Sequence, residues 1–278
     1  MSSTGRIDRP GGASALQRFG ANIAAGAAAL VRPRRGPPSA FPARSRLVIG
    51  ALLAILAVAV AMLLLDAWSA GRVRELPWLV IVFFNNITDF GLSGWFLYPT
   101  GVALLVIAAI DATGGSPALR GPLAALAVRL GFVFAAIAVP GLFVALIKRL
   151  IGRARPFIDG SDTWAYLPFA WRPDYASFPS GHATTAFAAA IAIGALWPRA
   201  RPVMWTYAVL IALSRVVVVA HHPSDVIAGA VIGACGALLV RNWFAARRLG
   251  FVIGPDGGVR KLPGPSLKRL KAVARRRA

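Results

Sequence analysis

Six stretches of the chain stay apolar long enough to suggest membrane-crossing helices, and polar residues gather between them. These are Leu47 to Leu65, Leu92 to Ile110, Leu123 to Ile147, Ala183 to Trp197, Val203 to Ala220 and Val226 to Val240. About 30 Å of hydrocarbon takes roughly 20 helical residues at 1.5 Å per residue, so the fourth and sixth are short for the purpose. Pro77 to Phe90 is apolar too, but Asn85, Asn86 and Asp89 interrupt it; it is expected to be an interfacial helix between the first two spans. Pro140, inside the third span, should kink it, which a bundle tolerates when neighbours satisfy the freed carbonyl. Ala21 to Val31 is too short to span and at most lies on the surface. The pattern predicts an all-α polytopic membrane protein. Its bundle of about six transmembrane helices occupies residues 46–241, between a basic, mostly disordered tail at 1–45 and a second basic tail at 242–278.

Composition supports this class. Of 278 residues, 57% are hydrophobic and 15% charged, which excludes disordered, collagen-like and disulfide-stapled chains. The single cysteine, Cys235, rules out an intrachain disulfide and is expected to be a small core residue.

Charge orients the bundle. Thirty-one Lys and Arg stand against ten Asp and Glu, a net charge of +21. With an even number of spans both termini share a side, and 22 of the basic residues then fall on that side against seven on the other. The positive-inside rule puts both termini in the cytoplasm, in the inner (plasma) membrane. Seventeen of the 31 cations lie in the two tails, and Arg46 and Arg241 stand at their junctions with the bundle. Beside membrane spans, anionic lipid explains them at about 1 kcal/mol per residue near the surface, so they imply an anionic bilayer as partner and no nucleic acid.

Five of the seven outer cations crowd one loop, and the residues that carry chemistry begin there. Lys148 precedes Arg155-Pro156 by six intervening residues; Pro179-Ser180-Gly181-His182 opens the fourth span; Ser214-Arg215, His221 and Asp225 cross from the fifth span into the sixth. The predicted topology puts all three segments on the periplasmic or exterior face. Three fixed cations, two histidines, one carboxylate and a small-residue turn at a helix start suit a phosphate ester. Lys148, Arg155 and Arg215 can neutralise the charge of a phosphoryl group in flight. Ser180 and the amides of Gly181 and His182 add donors at a helix N-terminus. Two histidines fit a two-step transfer in which one attacks phosphorus and the other protonates the leaving oxygen. His221 and Asp225, spaced i and i+4, meet if their segment is helical, and a carboxylate on one ring nitrogen leaves the other free to attack; His182 is then the acid. Taken singly, each segment also reads as an ordinary interfacial charge cluster, turn or cap, and His222 as a structural or lining residue. Their coincidence at helix ends on one face carries the reading.

These residues resemble the type 2 phosphatidic acid phosphatase and haloperoxidase superfamily, whose signature is Lys, six residues, Arg-Pro; Pro-Ser-Gly-His; and Ser-Arg, five residues, His, three residues, Asp. Every named position is matched in order between residues 148 and 225. The resemblance implies that His221 is the nucleophile, Asp225 its orienting carboxylate and His182 the general acid. It also implies that Lys148, Arg155, Ser180, Gly181 and Arg215 bind the substrate phosphate. The membrane branch of that family dephosphorylates lipid phosphates or pyrophosphates without a metal or other cofactor, through a phosphohistidine. Phosphatidic acid, phosphatidylglycerol phosphate, polyprenyl pyrophosphate and lipid A phosphates all fit, with selective contacts expected from Phe157 to Phe178 and from Pro77 to Phe90.

An anion or lipid transporter is the alternative, since inward cations on six spans can make a path. Against it, only Arg129 and Arg215 among the basic residues fall within the spans, and transporters bind at the midplane. Halide oxidation with bound vanadate uses the same residues in soluble relatives, which six apolar spans argue against.

Overall fold

A computed structural model describes residues 14–35, 44–110, 117–156, 158 and 163–264. Among these, the first long apolar stretch becomes α2 (Arg44–Val60), which passes through a π-helical turn (Ala61–Leu65) into α3 (Asp66–Arg72). Next come α4 (Trp78–Thr88), a 3-10 turn (Asp89–Gly91) and α5 (Gly94–Ala109). They are followed by α6 (Pro117–Ile151), α7 (Gly181–Leu196), α8 (Arg201–Val217) and α9 (Pro223–Ala246). Among the described residues five stretches are long and apolar enough to cross a membrane: Ser45–Ser69, Trp78–Ala109, Gly121–Ile151, Pro198–Val217 and Pro223–Ala246. The expected fourth span is α7, which at 16 residues is shorter, whereas α9, with 24, exceeds its expected length.

Burial explains why a short helix suffices at the α7 position. It packs against α6, α8 and α9 together, and Ala183, Ala186, Ala188, Ala189, Ala190 and Ala192 are all buried. A helix apolar all round sits inside its bundle rather than at its edge. Small residues let α9 come close: a Cβ on Gly229 would lie 2.3 Å from the Ser180 carbonyl oxygen, and one on Gly233 2.2 Å from that of Thr184. This backbone approach ties the start of α7 to the first turns of α9. α6 remains one helix through Pro122 and Pro140, and Gly236, whose Cβ would meet the Pro140 ring at 2.7 Å, gives that ring room. On the outside, Leu52, Leu53, Leu56, Leu63, Leu105 and Leu142 are exposed, as helices facing lipid require.

Three expectations change. The 1–45 region is not all disordered: α1 (Ala15–Val31) forms behind a capping box in which Ser14 Oγ accepts from Gln17 N at 3.2 Å and Gln17 Oε1 accepts from Ser14 N at 2.8 Å. It docks through Asn22 Nδ2, which donates to the Ala108 carbonyl at 2.8 Å, and through Trp243 Nε1, which donates to that of Leu30 at 3.1 Å. The 242–278 region begins inside the bundle. The last helix runs to Ala246, and an antiparallel hairpin, β1 (Phe251–Ile253) with β2 (Val259–Lys261), folds back on the core with Phe251 and Ile253 buried. The rest of both expected tails, residues 1–13, 36–43 and 265–278, lies outside the described residues. Cys235, expected in the core, is exposed on α9.

Candidate active site

Helix ends and the loop after α6 bring the sequence-predicted residues to one end of the bundle. Lys148 stands in the last turn of α6, Ser180 caps α7, Arg215 ends α8, and Asp225 opens α9. The loop after α6 turns sharply at Gly152, which has a φ of 65°; a Cβ there would lie 1.7 Å from the Leu167 carbonyl oxygen, so only glycine fits. Backbone bonds from Leu167 N to Gly152 O (2.7 Å), Ala154 N to Ala165 O (2.9 Å) and Ser177 N to Arg153 O (3.1 Å) then fold residues 163–177 back over Arg153.

His221 is buried, 3% exposed. The sequence suggests an i, i+4 pair inside a helix; instead His221 precedes the N-cap, His222, and only Asp225 is helical. Their side chains still meet, with His221 Nδ1 3.6 Å from Asp225 Oδ2. A residue the motif does not name stands between them: Ser177 Oγ donates to Asp225 Oδ2 at 2.5 Å and lies 3.4 Å from His221 Nδ1. His222 N donates to the same Oδ2 at 2.9 Å, so His222 serves as a cap. Burial pushes the His221 pKa down to about 4, with the Asp225 charge pulling the other way and Arg155 and Lys148 adding to the fall. The imidazole is therefore neutral at pH 7, with Nε2 the ring nitrogen that is not turned to Ser177 and Asp225.

Lys148, Arg155 and Arg215 gather round the histidines, close enough that their charges act on His182, as does His221. Arg155 is braced by two carbonyls: its Nε donates to Pro173 O at 3.0 Å and its Nη1 to Ala220 O at 3.2 Å. Arg215 Nη1 donates to Thr88 Oγ1, which also accepts from Ser214 Oγ at 2.9 Å. Lys148 reaches the start of α7, where a Cβ on Gly181 would lie 3.5 Å from its Nζ. Ser180 is fully buried; its Oγ accepts from Ala183 N at 3.5 Å and its amide donates to Asp225 O at 2.9 Å, which leaves its hydroxyl hydrogen to donate elsewhere. His182 packs against Gly91, whose Cβ would meet the imidazole at 2.8 Å. All eight residues singled out from the sequence thus lie at this end.

Asp66, Arg153, Ser177 and Thr88 also belong to the site's surroundings and were not singled out for chemistry. Asp66 carried a readable signal, a carboxylate directly after an unbroken apolar run, since ionisable groups in such settings are rare. Ser177 carried none. Among the described residues no group of three His, Cys, Asp or Glu side chains is placed to hold a metal ion.

Residues 129–249 match the PAP2 superfamily. A lipid A 1-phosphatase of Rhizobium johnstonii is 36% identical over 224 residues, which cover 78% of this chain and 86% of that protein. A decaprenylphosphoryl-5-phosphoribose phosphatase of Mycobacterium tuberculosis is 38% identical over 109 residues, 37% of this chain and 58% of that one. Among solved structures, Aquifex aeolicus LpxE aligns with 64% of this chain and 94% of its own at 23% identity, with a TM-score of 0.48.

Proposed function

The chain belongs to the PAP2 superfamily, and from that premise we propose that it is a multi-pass membrane phosphatase that removes a phosphate from a lipid through a phosphohistidine. One observation carries the reading: a buried His221 backed by Ser177 and Asp225, with Lys148, Arg155 and Arg215 gathered round it and His182. His221 Nε2 attacks phosphorus as the bond to the lipid oxygen breaks. His182 gives that oxygen its proton. Lys148, Arg155 and Arg215 hold the equatorial oxygens, with donors from Ser180, Gly181 and the start of α7. Water, deprotonated by His182, then cleaves the phosphorus–nitrogen bond and releases inorganic phosphate. The fixed cations fill the role that Mg²⁺ plays in many phosphoryl-transfer sites. Cations gathered at helix ends, rather than spaced along a path through the spans, speak against transport.

The substrate we propose is a lipid A phosphate, on the strength of the 36% identity to a lipid A 1-phosphatase along most of its length. The active site then faces the periplasm and both termini the cytoplasm of the inner membrane, supported by the 22 to seven division of basic residues, with the tails on anionic lipid. Purified protein offered lipid A, phosphatidylglycerol phosphate, phosphatidic acid and undecaprenyl pyrophosphate in matched micelles should release phosphate fastest from lipid A. Turnover of any other lipid alone would overturn the substrate while leaving the chemistry.

A further inference from the structure

Asp66 sits across the buried network from His221, on the helix α3, which precedes the matched residues 129–249. Its carboxylate is fully buried and fully engaged. Ser224 N donates to Oδ1 at 3.0 Å, and Ser224 Oγ and Arg153 Nη2 donate to Oδ2 at 2.6 and 2.8 Å. The other arm of Arg153, Nη1, donates to Asp225 Oδ1 at 2.7 Å and to Ser224 Oγ at 2.7 Å, while Nη2 also reaches the Thr163 carbonyl at 2.9 Å. One guanidinium, 1% exposed, is thus held between two buried carboxylates that lie far from it in sequence. Asp225 divides its oxygens accordingly: Oδ1 takes Arg153, and Oδ2 takes Ser177 and His222 N and faces His221.

A cluster of this kind is a costly way to pin α3 to the loop after α6. Desolvating three charges opposes their attraction, and apolar packing of similar volume is often at least as stable. It does supply direction. A carboxylate gripped through one oxygen by a planar fork cannot swing its other oxygen away from the imidazole, and the fork stays in place only while its far side is held. Deprived of Asp66, Arg153 would turn its whole charge on Asp225.

We infer that Asp66 is a positioning residue: acting through Arg153, it sets the plane of the Asp225 carboxylate and so the aim of His221. The inference rests on His221 being the nucleophile. Its test is a double-mutant cycle on the full-length protein in detergent with one lipid phosphate substrate. Asp66→Asn should lower kcat about 10- to 100-fold, the range seen when groups that orient a functional side chain are lost, with KM and the inhibition constant of orthophosphate within about twofold. Combined with Asp225→Asn it should cost almost nothing further, because both changes break the same link. An unchanged kcat in folded Asp66→Asn, or losses that multiply, would overturn the inference. So would a KM that rises as far as kcat falls, the mark of a collapsed phosphate cradle. Should Asp66→Asn fail to fold, Ser224→Ala replaces it, since this removes the hydroxyl bonds to Asp66 and Arg153 but leaves both charges; multiplication with Asp225→Asn again decides against. If Asp225→Asn itself leaves kcat intact, the assignment of the nucleophile has failed and this inference falls with it, whereas multiplying losses sink the inference alone.

Discussion

At one end of the bundle Phe132 packs against Phe244 and Phe251, with ring centroids 5.5 and 4.7 Å apart. At the other, Asp66, Arg153, Ser177 and Asp225 are as deeply buried but are joined through hydrogen bonds. Both ends close off the same helices, α6 and α9. The apolar end needs only volume and contact, so its residues are replaceable in kind and their loss is felt as stability. The polar end must pair its buried charges, because an unpaired one is costly, and what it gains in return is fixed geometry around His221.

Removing the nucleophile from the polar end should cost turnover without stability. His221→Ala is expected to lower kcat by at least about 10⁴-fold, the scale on which removing a nucleophile acts, while the thermal midpoint in detergent hardly moves. An active variant, or one that loses activity only by unfolding, would erase the contrast between the two ends. Breaking the apolar end should do the reverse. Phe132→Ala empties a site that is 0% exposed and should destabilise by about 3 kcal/mol, mainly through the cavity left, because the surrounding lipid is as apolar as the core. The midpoint should drop, and kcat per folded molecule should stay within about twofold. A fall in kcat with no fall in midpoint would mean that the ends are coupled.

The catalytic end was the more legible of the two. Lys148, Arg155, Ser180, Gly181, His182, Arg215, His221 and Asp225 stand in three short runs whose spacing survives in sequence because each run covers a helix end with the loop or turn beside it. Asp66 and Arg153 are 87 positions apart, and nothing in a linear pattern pairs them. Ser177 looks like any loop serine until the chain folds back at Gly152. At the apolar end, the hairpin strands are three residues each, too short to show alternation, and their basic neighbours made the segment read as tail. Asp256-Gly257 is nonetheless a turn signal, and Ser14 with Gln17 has the spacing of a capping box; a reading by composition passes over both.

Smaller effects sharpen the division of labour inside the polar end. His182→Ala should cost about 100-fold on an alkyl lipid phosphate, within the range for losing a general acid, and much less on an aryl phosphate whose phenolate leaves unaided. Equal losses on both substrates would remove the acid role. Because burial holds the His221 pKa near 4, the imidazole stays unprotonated as pH falls. kcat/KM, corrected for substrate ionisation, should therefore not show the roughly fivefold drop from pH 6.5 to 5.5, steepening to about tenfold per unit below, that a histidine of ordinary pKa would impose. A limb near 6.5 would place the nucleophile in a wetter setting than the structure gives it. The smallest expected effect is none: a chelator should leave the rate unchanged, and restoration by Mg²⁺ or Zn²⁺ after a loss would show that the fixed cations do not suffice.

The passage of a phosphoryl group through His221 is tested most directly by trapping it. A lipid phosphate radiolabelled at phosphorus, mixed with the protein and quenched within one turnover, should leave label on the chain that withstands alkali and is lost in acid, as a phosphorus–nitrogen bond requires. His221→Ala should carry none. Label retained by His221→Ala, or label stable to acid and released by alkali as a serine ester is, would contradict the account.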